Sequence, residues 1–95
     1  MTGKVQVFES VWDALEARPA EAATLRLRAD LTIALSAKVA EWETTQVAAA
    51  QRLGITQPRL NDLMRGRIGR FSLDALVNLA APAGLVIRLE IRAAA

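Results

Sequence analysis

Two short helices joined by a glycine turn are the feature that most constrains this chain. Ala50 lies four residues before Gly54, and a small residue there lets a second helix pack closely across the first. Suitable residues fill seven positions within eighteen residues: Ala49, Ala50, Leu53, Gly54, Ile55, Leu60 and Leu63. The pattern predicts a helix-turn-helix. The alternative is an ordinary αα-hairpin whose glycine only caps a helix.

Capping residues predict where the helices in this half of the chain begin and end. Hydroxyl side chains suit the N-cap, and we assign that role to Thr45, Thr56 and Ser72. The predicted helices run from Gln46 to Leu53, from Gln57 to Gly66 and from Leu73 to about Ala81. Residues 67–70 are expected to be a loop, and Pro82 with Gly84 is expected to stop the last helix. Leu73, Leu76, Val77 and Ala80 are its predicted buried face.

Apolar spacing predicts the remaining elements. A three- and four-residue spacing predicts a long helix from about Ala20 to Glu41, with a core stripe of Leu27, Leu31, Leu35 or Ala34, Val39 and Trp42. A short helix is expected from Val11 to about Ala17, after a lead-in that includes Val5 and Val7. The two-residue alternation of Leu85–Arg92 predicts a half-buried strand. The fold class is therefore mostly α, with about five helices and a C-terminal strand.

Composition excludes several functions. The chain has 95 residues, of which Ala and Leu contribute 19 and 13, so one helix-rich domain is expected. Cys and His are both absent, which rules out disulfides, Ser–His dyads and His-based zinc sites. We expect no enzyme activity, no catalytic residues, no metal and no cofactor. The longest apolar run, Leu79–Ile87, has nine residues, so a soluble cytoplasmic protein is expected.

The charge distribution is uneven. Residues 1–45 carry a net charge of −2, residues 46–70 carry +4, and residues 71–95 carry none, which gives the overall +2. The positive segment contains five arginines and only one acidic residue, Asp62. Such a concentration is typical of a surface that binds a polyanion, although a solvated helix face has the same signature.

The polar face of the second short helix then has a predicted use in reading DNA. Gln and Asn pair with adenine in the major groove, and Arg pairs with guanine. The expected base-reading residues are Gln57, Arg59, Asn61 and Arg65, and the expected backbone contacts are Gln46, Thr56, Arg67 and Arg70. Asp62 is expected to be solvated, because its charge opposes phosphate unless it meets a cytosine amine or orients an arginine.

The chain resembles the Xre-type helix-turn-helix regulators and, within them, the HigA-like antitoxins. The most specific matching stretches are Leu25–Leu31, Thr45–Ala48, Leu53–Arg59, Asp62–Gly66 and Phe71–Leu76, within a resemblance that runs from Val7 to about Leu89. The resemblance implies a lambda-repressor-like fold and a homodimer on a palindromic operator in double-stranded DNA. Antitoxin members also bind a RelE/HigB-type ribonuclease toxin and repress their own operon.

Two further surfaces are assigned to protein partners. A lone strand needs a neighbour, so Leu85, Ile87, Leu89 and Ile91 are expected to pair with a second copy, or else with Val5–Phe8. The N-terminal stripe of Phe8, Val11, Trp12 and Leu15 either packs on the domain's own core, which we favour, or docks on a toxin.

We therefore predict a lead-in and short helix at residues 1–18, followed by a single compact DNA-binding domain at residues 19–95. The predicted function is sequence-specific repression of transcription, with the antitoxin of a type II toxin–antitoxin pair as the expected setting. The alternatives are a solitary regulator without a toxin and a helical module that binds only protein.

Overall fold

A long N-terminal helix begins the part of the chain that the structure, a computed structural model, describes, namely residues 19–94. This helix, α1, spans Pro19–Glu41, so the predicted helix over residues 20–41 is confirmed. Proline is compatible with the first position because the N–H it lacks has no intrahelical partner there. The expected lead-in and short helix, with Phe8, Val11, Trp12 and Leu15, lie outside the described residues.

The buried face of α1 differs from the predicted stripe at its N-terminal half. Leu35 and Val39 are buried as expected, but Leu27 is 46% exposed, so its assignment to the core is wrong. Ala29 and Thr32 are buried instead. Their small side chains permit a close approach, and the Thr32 hydroxyl donates to the Arg28 carbonyl at 2.8 Å, so its burial leaves no unpaired donor.

Two eight-residue helices follow, α2 at Gln46–Leu53 and α3 at Gln57–Met64. The bounds of α2 are those predicted, while α3 ends two residues before Gly66. The predicted loop at residues 67–70 contains a single 3-10 turn at Ile68–Arg70. Ile68 is buried against Ala29 of α1, because an apolar side chain this large gains more from the core than from solvent.

The last helix, α4, spans Leu73–Ala83 and passes through the proline that was expected to end it. Pro82 removes the N–H that would bond to the carbonyl of Asn78, but Asn78 is exposed, so water can take that place. The predicted stop at Gly84 is confirmed: this residue has a φ of 78° and donates to the carbonyls of Ala80 and Ala81.

The core lies mainly between α1 and α4, and the inner faces of α2 and α3 complete it. Leu76 and Ala80 of α4 are buried as predicted, together with Leu79 and Ala83. Val77 is 43% exposed and Leu73 is only half-buried, so their assignment to the core is wrong. The main cluster consists of Leu35, Val39, Ala49, Ala50, Leu53, Leu60, Leu63, Phe71, Leu76, Leu79 and Ala83.

The C-terminal segment forms no strand within residues 85–94. Leu85 packs against the core, but Ile87, Leu89 and Ile91 are exposed, so the predicted half-buried strand is not observed in the single chain. A strand requires a hydrogen-bonding neighbour, and residues 19–94 supply none. The described residues therefore form four α-helices and one 3-10 turn, and none of these helices is both long and apolar enough to cross a bilayer.

The burial pattern of α4 predicts unequal effects for two neighbouring substitutions. Leu79→Ala should lower the free energy of unfolding by about 2–4 kcal/mol, because it leaves a cavity in the core. Val77→Ala, the matched control, should change it by less than about 0.5 kcal/mol, because Val77 faces solvent. Urea unfolding measures both, and equal losses would contradict this orientation of α4.

Candidate nucleic-acid interface

A tight turn of three residues connects α2 to α3 and sets their relative placement. Gly54 ends α2 in the left-handed conformation, with a φ of 73°, and its N–H donates to the carbonyls of Ala50 and Gln51. The N–H of Ile55 also donates to the Ala50 carbonyl, at 3.0 Å. The predicted role of Gly54 is confirmed, since glycine adopts this conformation without the clash that a Cβ causes.

Both short helices are capped as the sequence predicts. The Thr45 hydroxyl accepts a hydrogen bond from the Ala48 N–H at 3.1 Å, and the Thr56 hydroxyl accepts one from the Arg59 N–H at 3.3 Å. Each cap satisfies a backbone donor that the helix itself leaves unpaired. The two N-termini are therefore fixed by local contacts within four residues.

The inner faces of α2 and α3 are buried in the main core. Ala49, Ala50 and Leu53 of α2 lie against Leu60 and Leu63 of α3, as the spacing predicts. The Ser36 hydroxyl of α1 also donates to the Leu63 carbonyl at 3.2 Å, which ties the C-terminal end of α3 to the long helix. This burial determines which side chains of α3 remain outside.

The outer face of α3 presents the polar residues that the sequence singled out. Gln57 and Arg65 are exposed at the two ends of the helix, and Asn61 is half-buried between them. Within residues 19–94, no hydrogen bond or ion pair involves the side chains of these three residues. Their amide and guanidinium groups are therefore available to an external ligand.

Arg59, the fourth predicted base-reading residue, contacts the protein itself. Its guanidinium carbon lies 4.0 Å from the ring centroid of Phe71, and its Nη1 donates to the Arg70 carbonyl at 2.6 Å. A guanidinium carries five N–H donors, so the remaining donors can still reach outwards. The structure thus gives Arg59 an internal role that the sequence did not indicate.

Asp62 is not a solvated side chain, which corrects the favoured expectation for it. Its Oδ1 accepts from the guanidinium groups of both Arg67 and Arg70, each at 3.0 Å. Asp62 therefore orients two arginines, which is one of the two exceptions to its expected solvation. The separations of five and eight residues fit no helical spacing, so this cluster left no signal in the sequence.

The predicted backbone-contacting residues lie at separate points around these helices. Gln46 is exposed at the first position of α2, and Thr56 holds the N-cap of α3. Arg67 lies beside the 3-10 turn that follows α3, and Arg70 lies within it. Both are paired to Asp62. The fifth arginine of the positive segment, Arg52, instead lies over the ring of Trp42, with its guanidinium carbon 3.9 Å from the centroid.

Comparison with known proteins identifies the family. No individually curated protein matches the chain significantly. A family model described as a helix-turn-helix domain matches residues 15–93, which is most of the chain, and its description names no antitoxin. The match includes α2, the Gly54 turn and α3, whose caps and buried faces have the geometry of this motif. The chain is therefore a member of this helix-turn-helix domain family.

Proposed function

We propose that the protein is a sequence-specific DNA-binding repressor that reads its operator with α3. The observation that carries the proposal is the placement of Gln57, Asn61 and Arg65 on the outer face of a capped helix that follows the Gly54 turn. Proteins with this motif insert the N-terminal part of the second helix into the major groove. The net charge of +4 over residues 46–70 supports binding to a polyanion.

Base reading is assigned to Gln57, Arg59, Asn61 and Arg65. Gln57 and Asn61 present amides, which suit the N6 and N7 atoms of adenine. Arg65 has an unengaged guanidinium, which suits the O6 and N7 atoms of guanine. Arg59 is assigned to contact a base through the guanidinium N–H groups that its contacts to Phe71 and Arg70 do not use.

Contacts to the DNA backbone are assigned to Gln46, Thr56, Arg67 and Arg70. Gln46 begins α2, where unpaired N–H groups and the helix dipole favour a phosphate. The Thr56 hydroxyl already accepts from the Arg59 N–H, and its own proton remains available for a phosphate oxygen. Arg67 and Arg70 supply positive charge beside the C-terminal end of α3.

A homodimer is proposed through the C-terminal segment. If two copies of residues 85–92 pair antiparallel about Leu89, then Arg88 of one copy lies opposite Glu90 of the other. Opposite charges in such cross-strand pairs are stabilising. The same pairing brings together apolar side chains that are exposed in the single chain: Leu89, Ile87 and Ile91. A two-fold dimer can also set two recognition helices about 34 Å apart, which is one turn of the duplex.

The antitoxin role is proposed as the biological setting, and its support is the resemblance to HigA-like proteins. The candidate toxin-binding residues Phe8, Val11, Trp12 and Leu15 lie outside the described residues. A short toxin-like reading frame beside the gene would support this setting, whereas its absence would favour a solitary regulator. A module that binds only protein would show no preference among DNA sequences.

Substitution of Gln57 tests base reading. Gln57→Ala should weaken binding to a duplex enriched from random DNA by the wild-type protein by about 1–3 kcal/mol. Binding to a scrambled duplex should hardly change. The matched control is Gln51→Ala, which removes an exposed glutamine from α2 and should leave both affinities intact. Fluorescence titration measures these affinities, and a wild type that binds both duplexes equally would contradict the proposal.

Arg59→Ala should affect both stability and DNA affinity. Loss of the ring contact and the hydrogen bond should lower the free energy of unfolding by about 1–2 kcal/mol. Affinity for the enriched duplex should fall as well. Arg65→Ala serves as the comparison, because no contact within residues 19–94 holds that side chain, so only affinity should fall. If thermal unfolding finds the two variants equally stable, the internal role of Arg59 is wrong.

Leu89→Asp tests the dimer. It places a charge at the proposed two-fold axis, so it should produce a monomer with unchanged helix content by circular dichroism. Operator affinity should fall by more than a single lost contact explains, because one recognition helix then binds without the other. Sedimentation at tens of micromolar decides the matter: a monomeric wild type would rule out this dimer.

A further inference from the structure

Asp62 is the one acidic residue in the positive segment, and it lies on α3 beneath two arginines. Its side chain is 16% exposed, whereas those of Arg67 and Arg70 are 38% and 60% exposed. The carboxylate is therefore the inner member of the cluster and the guanidinium groups are the outer members. Each arginine donates one hydrogen bond to Asp62, at 3.0 Å, and its other donors remain for an external oxygen.

Additional contacts fasten the following turn to α3. The Asp62 carbonyl accepts from the Arg67 N–H at 3.0 Å, so this residue holds Arg67 through both its backbone and its side chain. Arg59 donates to the Arg70 carbonyl, so Arg70 is held by α3 at its backbone and its side chain alike. The two outer arginines are thus ordered relative to the recognition helix before any ligand arrives.

We propose that Asp62 is a positioning residue that aims Arg67 and Arg70 as a pair at the DNA backbone. The inference rests on the proposed DNA-binding function and extends it to a residue whose own charge opposes DNA. Two arginines ordered in advance lose less conformational entropy on binding than two mobile side chains. Simple charge repulsion makes the opposite prediction, because removal of a negative charge from this surface should strengthen binding to a polyanion.

Asp62→Asn separates the two effects. We expect it to weaken binding to the enriched duplex about tenfold, because the neutral amide of Asn holds Arg67 and Arg70 less strongly than the carboxylate does, so more of their ordering must occur during binding. Asp30→Asn removes the same charge from an exposed position on α1, and its affinity should be unchanged or slightly higher. Thermal unfolding of both variants establishes that they are folded at the temperature of the titration.

A double-mutant cycle shows whether the effect passes through the arginines. In a protein that carries Arg67→Ala and Arg70→Ala, the further change Asp62→Asn should alter the affinity by less than about twofold. NMR of the arginine side chains in the DNA-free protein gives an independent readout. Slow guanidinium rotation at Arg67 and Arg70 should be present in the wild type and lost in Asp62→Asn.

Several results would overturn the proposal. One is an Asp62→Asn protein that binds the enriched duplex as tightly as the wild type or more tightly. Another is a loss of affinity that persists without the two arginines. If Asp62→Asn does not fold, the pair Arg67→Lys with Arg70→Lys retains every charge but loses the planar guanidinium, and unchanged affinity would then overturn it. If the wild type enriches no duplex, the proposed DNA-binding function is wrong. If the wild type binds an enriched duplex but the variants do not show the expected affinities, only the proposed role of Asp62 is wrong.

Discussion

The arrangement of this domain depends on the contacts that the buried residue Phe71 makes through its ring and its carbonyl. Phe71 is 2% exposed and belongs to the main core, to which all four helices contribute. Its outer face carries the guanidinium of Arg59 from α3, and its carbonyl accepts from Arg28 of α1 at 3.3 Å. One residue therefore joins α3, α1 and the start of α4, and the next residue, Ser72, caps α4. The orientation of α3 relative to the core is fixed by this junction as well as by the Gly54 turn.

The five arginines of the positive segment differ in the contacts that their side chains make. Arg59 stabilises the fold, Arg52 lies over Trp42, and Arg67 and Arg70 are held by Asp62. Among these five arginines, only Arg65 has a side chain with no hydrogen bond, ion pair or ring contact within the described residues. The net charge of +4 over residues 46–70 is therefore distributed between internal contacts and an outer surface. Charge count alone gives the sign of the surface potential, and the contacts decide which cations can move to meet a ligand.

The sequence predicted the elements whose determinants are local. Thr45, Thr56 and Ser72 cap their helices through bonds to an N–H three residues later, and Gly54 is required by its own backbone angle. The errors arise where distant packing decides. Leu27 and Val77 fit the apolar spacing of their helices, yet the packing of the helices leaves them 46% and 43% exposed. The buried leucines of α3 predict its polar outer face by elimination, but the Asp62 cluster and the Arg59–Phe71 contact join residues five to twelve positions apart, with no repeating pattern to mark them.

The family match continues to residue 93 and so covers the exposed C-terminal segment. The match therefore includes Leu89 and Ile91, which are 80% and 83% exposed in the single chain. Apolar side chains that alternate along an extended segment gain little in isolation, because both their backbone groups and their apolar area remain in water. In the proposed dimer, a second copy would supply both the missing backbone partners and an apolar surface, and it would double the number of base pairs that can be read. The proposal therefore makes the stability of this segment and the specificity of DNA recognition depend on one event, the pairing of two chains.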